Sequence, residues 1–315
     1  ALPISDQYKM EKRTNPRDVN SCYGTIGPSQ DAVDMFFMGN GLAINDPNSG
    51  YDETGFSAVE NHCYDPDYKD KKTDQNISNM YANREPRFYA SVVYQGRSWF
   101  KKWMNGNPNY IVDFSAGGGN DLSNGDNVKT GYMLGKFKNR TVNHASGDTQ
   151  SWKRVSIIYR LAEFYLFYAE ALNETDPSNP DIIKYIDMVR ERAGIPGYQT
   201  MNDNGIKTGI IGNYDKQFDA IQHERYVELY CEGQRYFDIR RWMICGDKDR
   251  IGCDQTRFYG MNMKGSKDKT PGEPTSYYTR TKVENRQWTD KLYLYPIHQN
   301  VIELANGRIP QNCGW

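Results

Sequence analysis

The sequence predicts a mainly α fold: a tetratricopeptide-like helical bundle with long loops and minor β-hairpin structure. Three observations carry this expectation. Apolar residues recur at spacings of three and four from residue 151 onward, the period of one helical face. A Pro-rich turn separates two such stretches, and Gly, Asn, Asp and Pro punctuate most of the remaining chain.

In chain order, residues 1–150 read as a loop-rich part with short strands. Within it, Asp31 to Met38 predicts a short helix. Phe88, Ala90, Val92 and Tyr94 alternate at period two before a Gly turn, the pattern of a strand or hairpin, and Tyr132 to Phe137 is a second extended candidate.

Residues 151–243 read as the helical bundle. Val155, Ile158, Leu161, Ala162, Tyr165, Tyr168, Ala169 and Leu172 mark a first helix. "PSNP" breaks it, and Ile182, Ile183, Ile186, Val189 and Arg190 mark a second, stopped by "AGIPG". Such a pair packs antiparallel, with Ala162, Ala169 and Ala171 permitting close approach. A third, longer helix is expected from about Asp215 to Met243, with Trp242 in the core. Residues 244–315 read as a loop-rich tail packing on the bundle.

Composition narrows the function. Aliphatic residues are sparse, but 24 Tyr, 12 Phe and 6 Trp supply apolar area. With 39 basic and 40 acidic residues the net charge is −1, which removes the electrostatic drive for nonspecific binding to nucleic acid or an anionic membrane. No run of the sequence approaches the roughly 20 apolar residues that span a bilayer. The six cysteines contain no C-x-x-C pair; Cys245 and Cys253 flank a short polar segment and would bridge only in an oxidising compartment.

Catalytic signatures are missing from the pattern. His62, His144, His223 and His298 stand in separate segments without metal-ligand spacing, and no G-x-S-x-G elbow or Walker sequence occurs. Glu224, Glu228, Glu232, Arg235, Asp238 and Arg241 alternate in sign at helical spacing. Glu232–Arg235 and Asp238–Arg241 are expected to form structural ion pairs, as are Arg160, Glu163 and Glu170 across the bundle. A glycosidase would instead need two unpaired carboxyl groups about 5–9.5 Å apart. No cofactor is expected, although Asp46, Asp52 and Asp121 offer hard oxygen ligands for a structural calcium.

Six segments, in this order, resemble the SusD/RagB family of outer-membrane nutrient-binding lipoproteins in its C-terminal half: "NGLAINDPNSGYD" (40–52), "NREPRFYASVVYQG" (83–96), "YRLAEFYLFYAEALNE" (159–174), "IDMVRERAGIP" (186–196), "HERYVELYCEGQRYFDIRRW" (223–242) and "LYPIHQNVIELANGRIPQNCGW" (294–315). Cys313 and Trp315 depart from the Pro and Tyr usual in that tail. The resemblance implies no catalysis. It implies capture of an oligosaccharide or polysaccharide, with peptides left open, on the extracellular face of the bacterial outer membrane. Handover to a SusC-like TonB-dependent transporter would follow. Family members look about twice as long, so the chain reads as a C-terminal portion, the lipid anchor belonging to an N-terminal half. Sugar rings stack on aromatic faces, and the loop residues Tyr51, Tyr64, Trp99 and Trp103 are the candidate stacking platforms. The alternatives are a glycan-degrading hydrolase and a purely structural protein-interaction module.

Overall fold

The structure, a computed structural model, describes residues 12–17, 22–61, 72–99, 110–123, 125–138, 157–247 and 258–315. Its organising unit is a helical hairpin. Helix α3 (Leu161–Thr175) and helix α4 (Asp181–Arg192) are joined by the turn through Pro177 and Pro180, and α6 (Tyr214–Glu228) packs across both. Leu166, Ala169, Ile182, Ile183, Ile186, Val189 and Ile221 fill the space between them, joined by Leu42 from the loop-rich part. Full burial of each large aliphatic side chain is worth about 1.5–3 kcal/mol.

Helix α3 carries apolar residues on more than one face, interrupted by the buried Glu163, Glu170 and Asn173. Leu166 and Ala169 are buried, whereas Leu161, Phe164, Phe167 and Tyr168 are exposed, as is Ile158 ahead of the helix. The face expected from the spacing is therefore split between core and surface, because a stripe this wide exceeds what α4 and α6 cover. Val155 and the 150/151 boundary lie outside the described residues.

The long third helix is in fact two. Helix α6 ends at Glu228 and α7 spans Gln234–Arg241. Between them Cys231 (φ 58°) and Gly233 (φ 88°) occupy the left-handed region, which no helix tolerates. Gly233 starts the new helix in a different direction.

A six-residue helix, α5 (Tyr198–Asp203), follows the hairpin and is anchored by Asp187 of α4, whose carboxylate accepts from the Tyr198 N–H (2.5 Å) and the Gln199 N–H (2.9 Å). A Cβ on Gly197 would lie 2.5 Å from the Asp187 Cγ. Gly197→Ala is accordingly expected to cost about 1–3 kcal/mol by overpacking, read as a lower midpoint in urea. An unchanged midpoint would show that Asp187 does not clamp α5.

The second core is aromatic and gathers the loops. Phe36, Phe37, Tyr81, Phe88, Tyr94, Tyr132 and Tyr277 are all buried. Tyr81 stacks on Tyr94 with ring centroids 4.8 Å apart, and its hydroxyl meets that of Tyr132 at 2.9 Å. Met261, Met263, Tyr277 and Tyr278 of the tail join this core, so that part of the tail packs on the loop-rich part.

Three two-stranded antiparallel sheets fringe the core: β1 (Phe56–Asn61) with β2 (Lys72–Ser78), β3 (Val92–Val93) with β4 (Met133–Leu134), and β5 (Tyr259–Met261) with β6 (Arg280–Lys282). The expected strand at Phe88–Tyr94 is realised only at Val92–Val93. Phe88 and Ala90 lie on helix α2 (Pro86–Ser91). Pro86 presets the first helical turn, and Phe88, Tyr89, Val92, Val93 and Tyr94 are all buried, so alternation marked no solvent face. Helix α1 (Gln30–Asp34) starts one residue ahead of the expected Asp31–Met38 stretch, ends four residues short of it, and is capped by Ser29, whose hydroxyl accepts from the Ala32 N–H. A short helix, α8 (Gln299–Leu304), lies in the tail.

Candidate ligand cleft

Ionic residues of α6 and α7 decide what chemistry is available. Arg87, on α2, reaches Glu85 (2.6 Å), Glu224 (2.6 Å) and Glu228 (3.0 Å). Glu224 and Glu85 have fully buried side chains, and Arg190 of α4 approaches Glu224 at 3.3 Å. Glu228 also pairs with Arg160 and Arg192. Burial alone would push its carboxyl up, but Arg87, Arg160 and Arg192 reverse the effect and hold it at about 2. Arg225 is gripped through two hydrogen bonds of 3.0 Å by Asp238, which also accepts from Arg241 at 2.9 Å. Arg241 continues to Glu170. Every acidic member of this ladder faces guanidinium, which leaves no unpaired carboxylate couple in it.

Two expected pairings and one expected core residue come out differently. Glu232 meets Arg160 (2.7 Å) and Lys136 (2.5 Å) rather than Arg235, because the left-handed turn at Gly233 breaks the helical relation between them. Glu163 joins no ion pair among the described residues; the neighbouring Arg225 is turned toward Asp238. Trp242 is half-buried rather than core, and its indole N–H donates to Glu170 at 2.7 Å.

Two adjoining cavities open beside the ladder. The larger, about 560 Å³, is bounded by Asp34 at the end of α1 and Met35 after it, Ala43 to Asn45, Asp219, Gln222 and His223 on α6, Arg235, and Ile244 with Asp247. The smaller, about 290 Å³, is aromatic, with Tyr226, Tyr230 and Tyr236 around the Arg225–Asp238 pair. Arg235 lines both, its guanidinium 4.6 Å from the Tyr226 ring centre. Mixed apolar walls with a few converging polar groups are the make-up of small-molecule sites, which run to about 300–1,000 Å³.

In the larger cavity His223 stacks on Phe37 at 4.1 Å and its Nε2 meets the Met35 carbonyl at 2.6 Å. Desolvation lowers its pKa to about 4, against the opposing pull of that carbonyl and Glu224. A folded pKa below the unfolded value of about 6.5 means the unfolded chain binds the extra proton. His223 thus contributes stability that is present above pH 6.5 and lost as pH falls toward 4. The fall between pH 7 and pH 5 should be about 2 kcal/mol, measured as the difference in urea-derived stability between the parent protein and His223→Gln. Parallel pH profiles would refute the assignment.

Of the sequence-derived stacking candidates, Trp99 is 2% exposed within the aromatic core and presents no face to a ring. Tyr51 is half-buried, donates to Glu53 at 2.8 Å, and has the Arg84 guanidinium 5.6 Å from its ring centre. Neither lines a cavity described above. Tyr64, Trp103 and Cys253 lie outside the described residues. Asp46 bonds Lys207 (2.6 Å), and Asp52 accepts from the Thr54 N–H (2.8 Å) and Asn79 (3.2 Å); among the described residues no three His, Cys, Asp or Glu gather as a metal site. The cleft residues were hidden in plain view: Asn45 stands in the 40–52 segment, and Tyr226, Arg235 and Tyr236 in the 223–242 segment.

Comparison with known proteins gives a consistent answer. The selenomethionine form of BT4246 superposes with a TM-score of 0.75 at 23% identity, over 96% of this chain and 50% of that one. The SusD-like protein BF3747 of Bacteroides fragilis NCTC 9343 gives 0.66 at 28% identity, again over 96% and 50%. SusD-like protein P2 of Formosa agariphila is 37% identical over 82 residues, 26% of this chain and 16% of that protein. The chain thus spans about half the length of these solved relatives. The SusD family model (SusD_RagB) matches residues 5–315, and the chain belongs to the SusD family.

Proposed function

We propose that this chain is part of a non-catalytic glycan-binding protein on the extracellular face of the bacterial outer membrane. It captures an oligosaccharide or polysaccharide and delivers it to a SusC-like TonB-dependent transporter. The observation that carries this reading is the pairing of a mixed aromatic and polar cleft with carboxylates clamped by arginine. Aromatic faces suit the C–H faces of sugars, and Asn45, Gln222 and Arg235 suit their hydroxyls. Membership of the SusD family supports the surface location and the transporter partner. Among the described residues no helix is long and apolar enough to cross a membrane.

The reading predicts retention on polysaccharide. In affinity electrophoresis through gels containing starch, xylan, laminarin or galactomannan, at least one polymer should slow the protein. Asn45→Ala should restore its mobility by lowering affinity about ten-fold, the effect of losing one hydrogen bond to a ligand at about 1–1.5 kcal/mol. Unretarded migration in every gel would refute glycan capture.

A second reading, a protein-interaction module, draws support from the exposed Leu161, Phe164, Phe167 and Tyr168 on α3. Under that reading, substitutions in the cleft would leave partner binding unchanged.

A further inference from the structure

The two cavities share more than Arg235. Asp219, Gln222 and His223 of the larger one and Arg225, Tyr226, Leu229 and Tyr230 of the smaller one follow one another along α6 and its C-terminal turn. Residues three and four apart lie on one helical face, so α6 forms a common floor. Helix α1 and the residue after it supply one wall, Ala32 to the smaller cavity and Asp34 with Met35 to the larger. Arg235 and Tyr236 of α7 supply the other. At 1.5 Å per residue, Asp219 and Tyr226 alone are about 10 Å apart along the axis, before Leu229 and Tyr230 lengthen the floor.

We infer that the two cavities are consecutive subsites of one groove along α6 for an unbranched oligosaccharide of several rings, with Arg235 the positioning residue at their junction. The inference rests on the glycan reading and adds ligand length and direction to it. The end near Asn45 and Gln222 is polar and reads hydroxyl groups, beside an Asp34 carboxylate held by Arg280 and Gln30. The end near Tyr226, Tyr230 and Tyr236 is aromatic and stacks a ring. Arg235, lying over Tyr226 with reach into both cavities, is placed to hydrogen-bond the linkage between them. Amide and carboxylate groups gather in the larger cavity and tyrosine rings in the smaller, so a single ring would fill half of the recognition surface.

Calorimetry with malto-, cello-, xylo- and laminari-oligosaccharide ladders, each from disaccharide to hexasaccharide, tests this. For the ladder that binds, affinity should rise at least ten-fold with length and then level off once the groove is full. Tyr236 is 37% exposed, so Tyr236→Ala should keep its far-UV circular dichroism. It should abolish the gain with length; Asn45→Ala should weaken every member. A disaccharide that binds as tightly as the hexasaccharide would overturn the groove and leave glycan capture standing. Absence of binding by all four ladders would overturn the groove, and glycan capture with it where every polysaccharide gel also leaves the protein unretarded.

Discussion

Arg87→Met is expected to destabilise the protein by about 3–5 kcal/mol, the cost of removing one partner from a buried ionic cluster. Arg87 is the only cation among the described residues to bridge Glu85, Glu224 and Glu228, and it ties α2 of the loop-rich part to α6 of the bundle. Its loss strands the fully buried carboxylate of Glu85, which burial already raises above the ordinary glutamate range against the pull of Arg87. Glu224 keeps Arg190, and Glu228 keeps Arg160 and Arg192. The deficit should shrink as pH falls from 7 to 5, because the stranded carboxyl can then take a proton in the folded state. Urea unfolding at both values, with the slope m unchanged, is the check. A deficit under about 1 kcal/mol, the range of a surface pair, would show the cluster to be peripheral.

Asp238→Asn should cost about 3 kcal/mol, near the lower end of the same range because the amide retains one acceptor oxygen. Arg225 has a fully buried side chain held at 3.0 Å through both Nε and Nη2, with the Phe167 ring 4.2 Å from its guanidinium carbon. Halving its acceptors leaves a cation that water cannot reach. The variant should also loosen α7 against α6, since the Arg225–Asp238 pair joins them across the Gly233 turn. Hydrogen exchange should therefore speed up in α7 before it does in the α3–α4 hairpin. Equal stability of the variant and parent would mean that Arg225 finds another partner, and the clamp would be withdrawn.

What was legible in the sequence follows from how local each feature is. The α3–α4 hairpin announced itself because Ile182, Ile183, Ile186 and Val189 form one narrow stripe and Pro177 and Pro180 punctuate the turn. The division of α6 from α7 was available in Gly233, yet the apolar rows run through it and mask the break. Residues 88–94 misled because both faces are buried, which erases the period that separates strand from helix. Ion pairing was legible at Asp238–Arg241, three residues apart, and opaque at Glu232, whose partners Lys136 and Arg160 come from distant segments. The cleft was hardest. Its walls come from Ala32 to Asn45, from Asp219 to Asp238 and from Ile244 to Asp247, and nothing local says that they meet. Trp99 shows the converse: a Trp beside lysines in a polar stretch looks like a platform, but the core claims it.

The decisive measurement is release of reducing ends when the purified protein is incubated at pH 7 with an oligosaccharide it binds. With Glu224, Glu228, Glu232, Asp238 and Glu170 each held by cations, the sugar should be recovered intact at the rate of the buffer control. Reducing ends appearing in proportion to protein concentration would mean that an acidic pair escapes its arginines and cuts the bond, and capture without cleavage would be wrong.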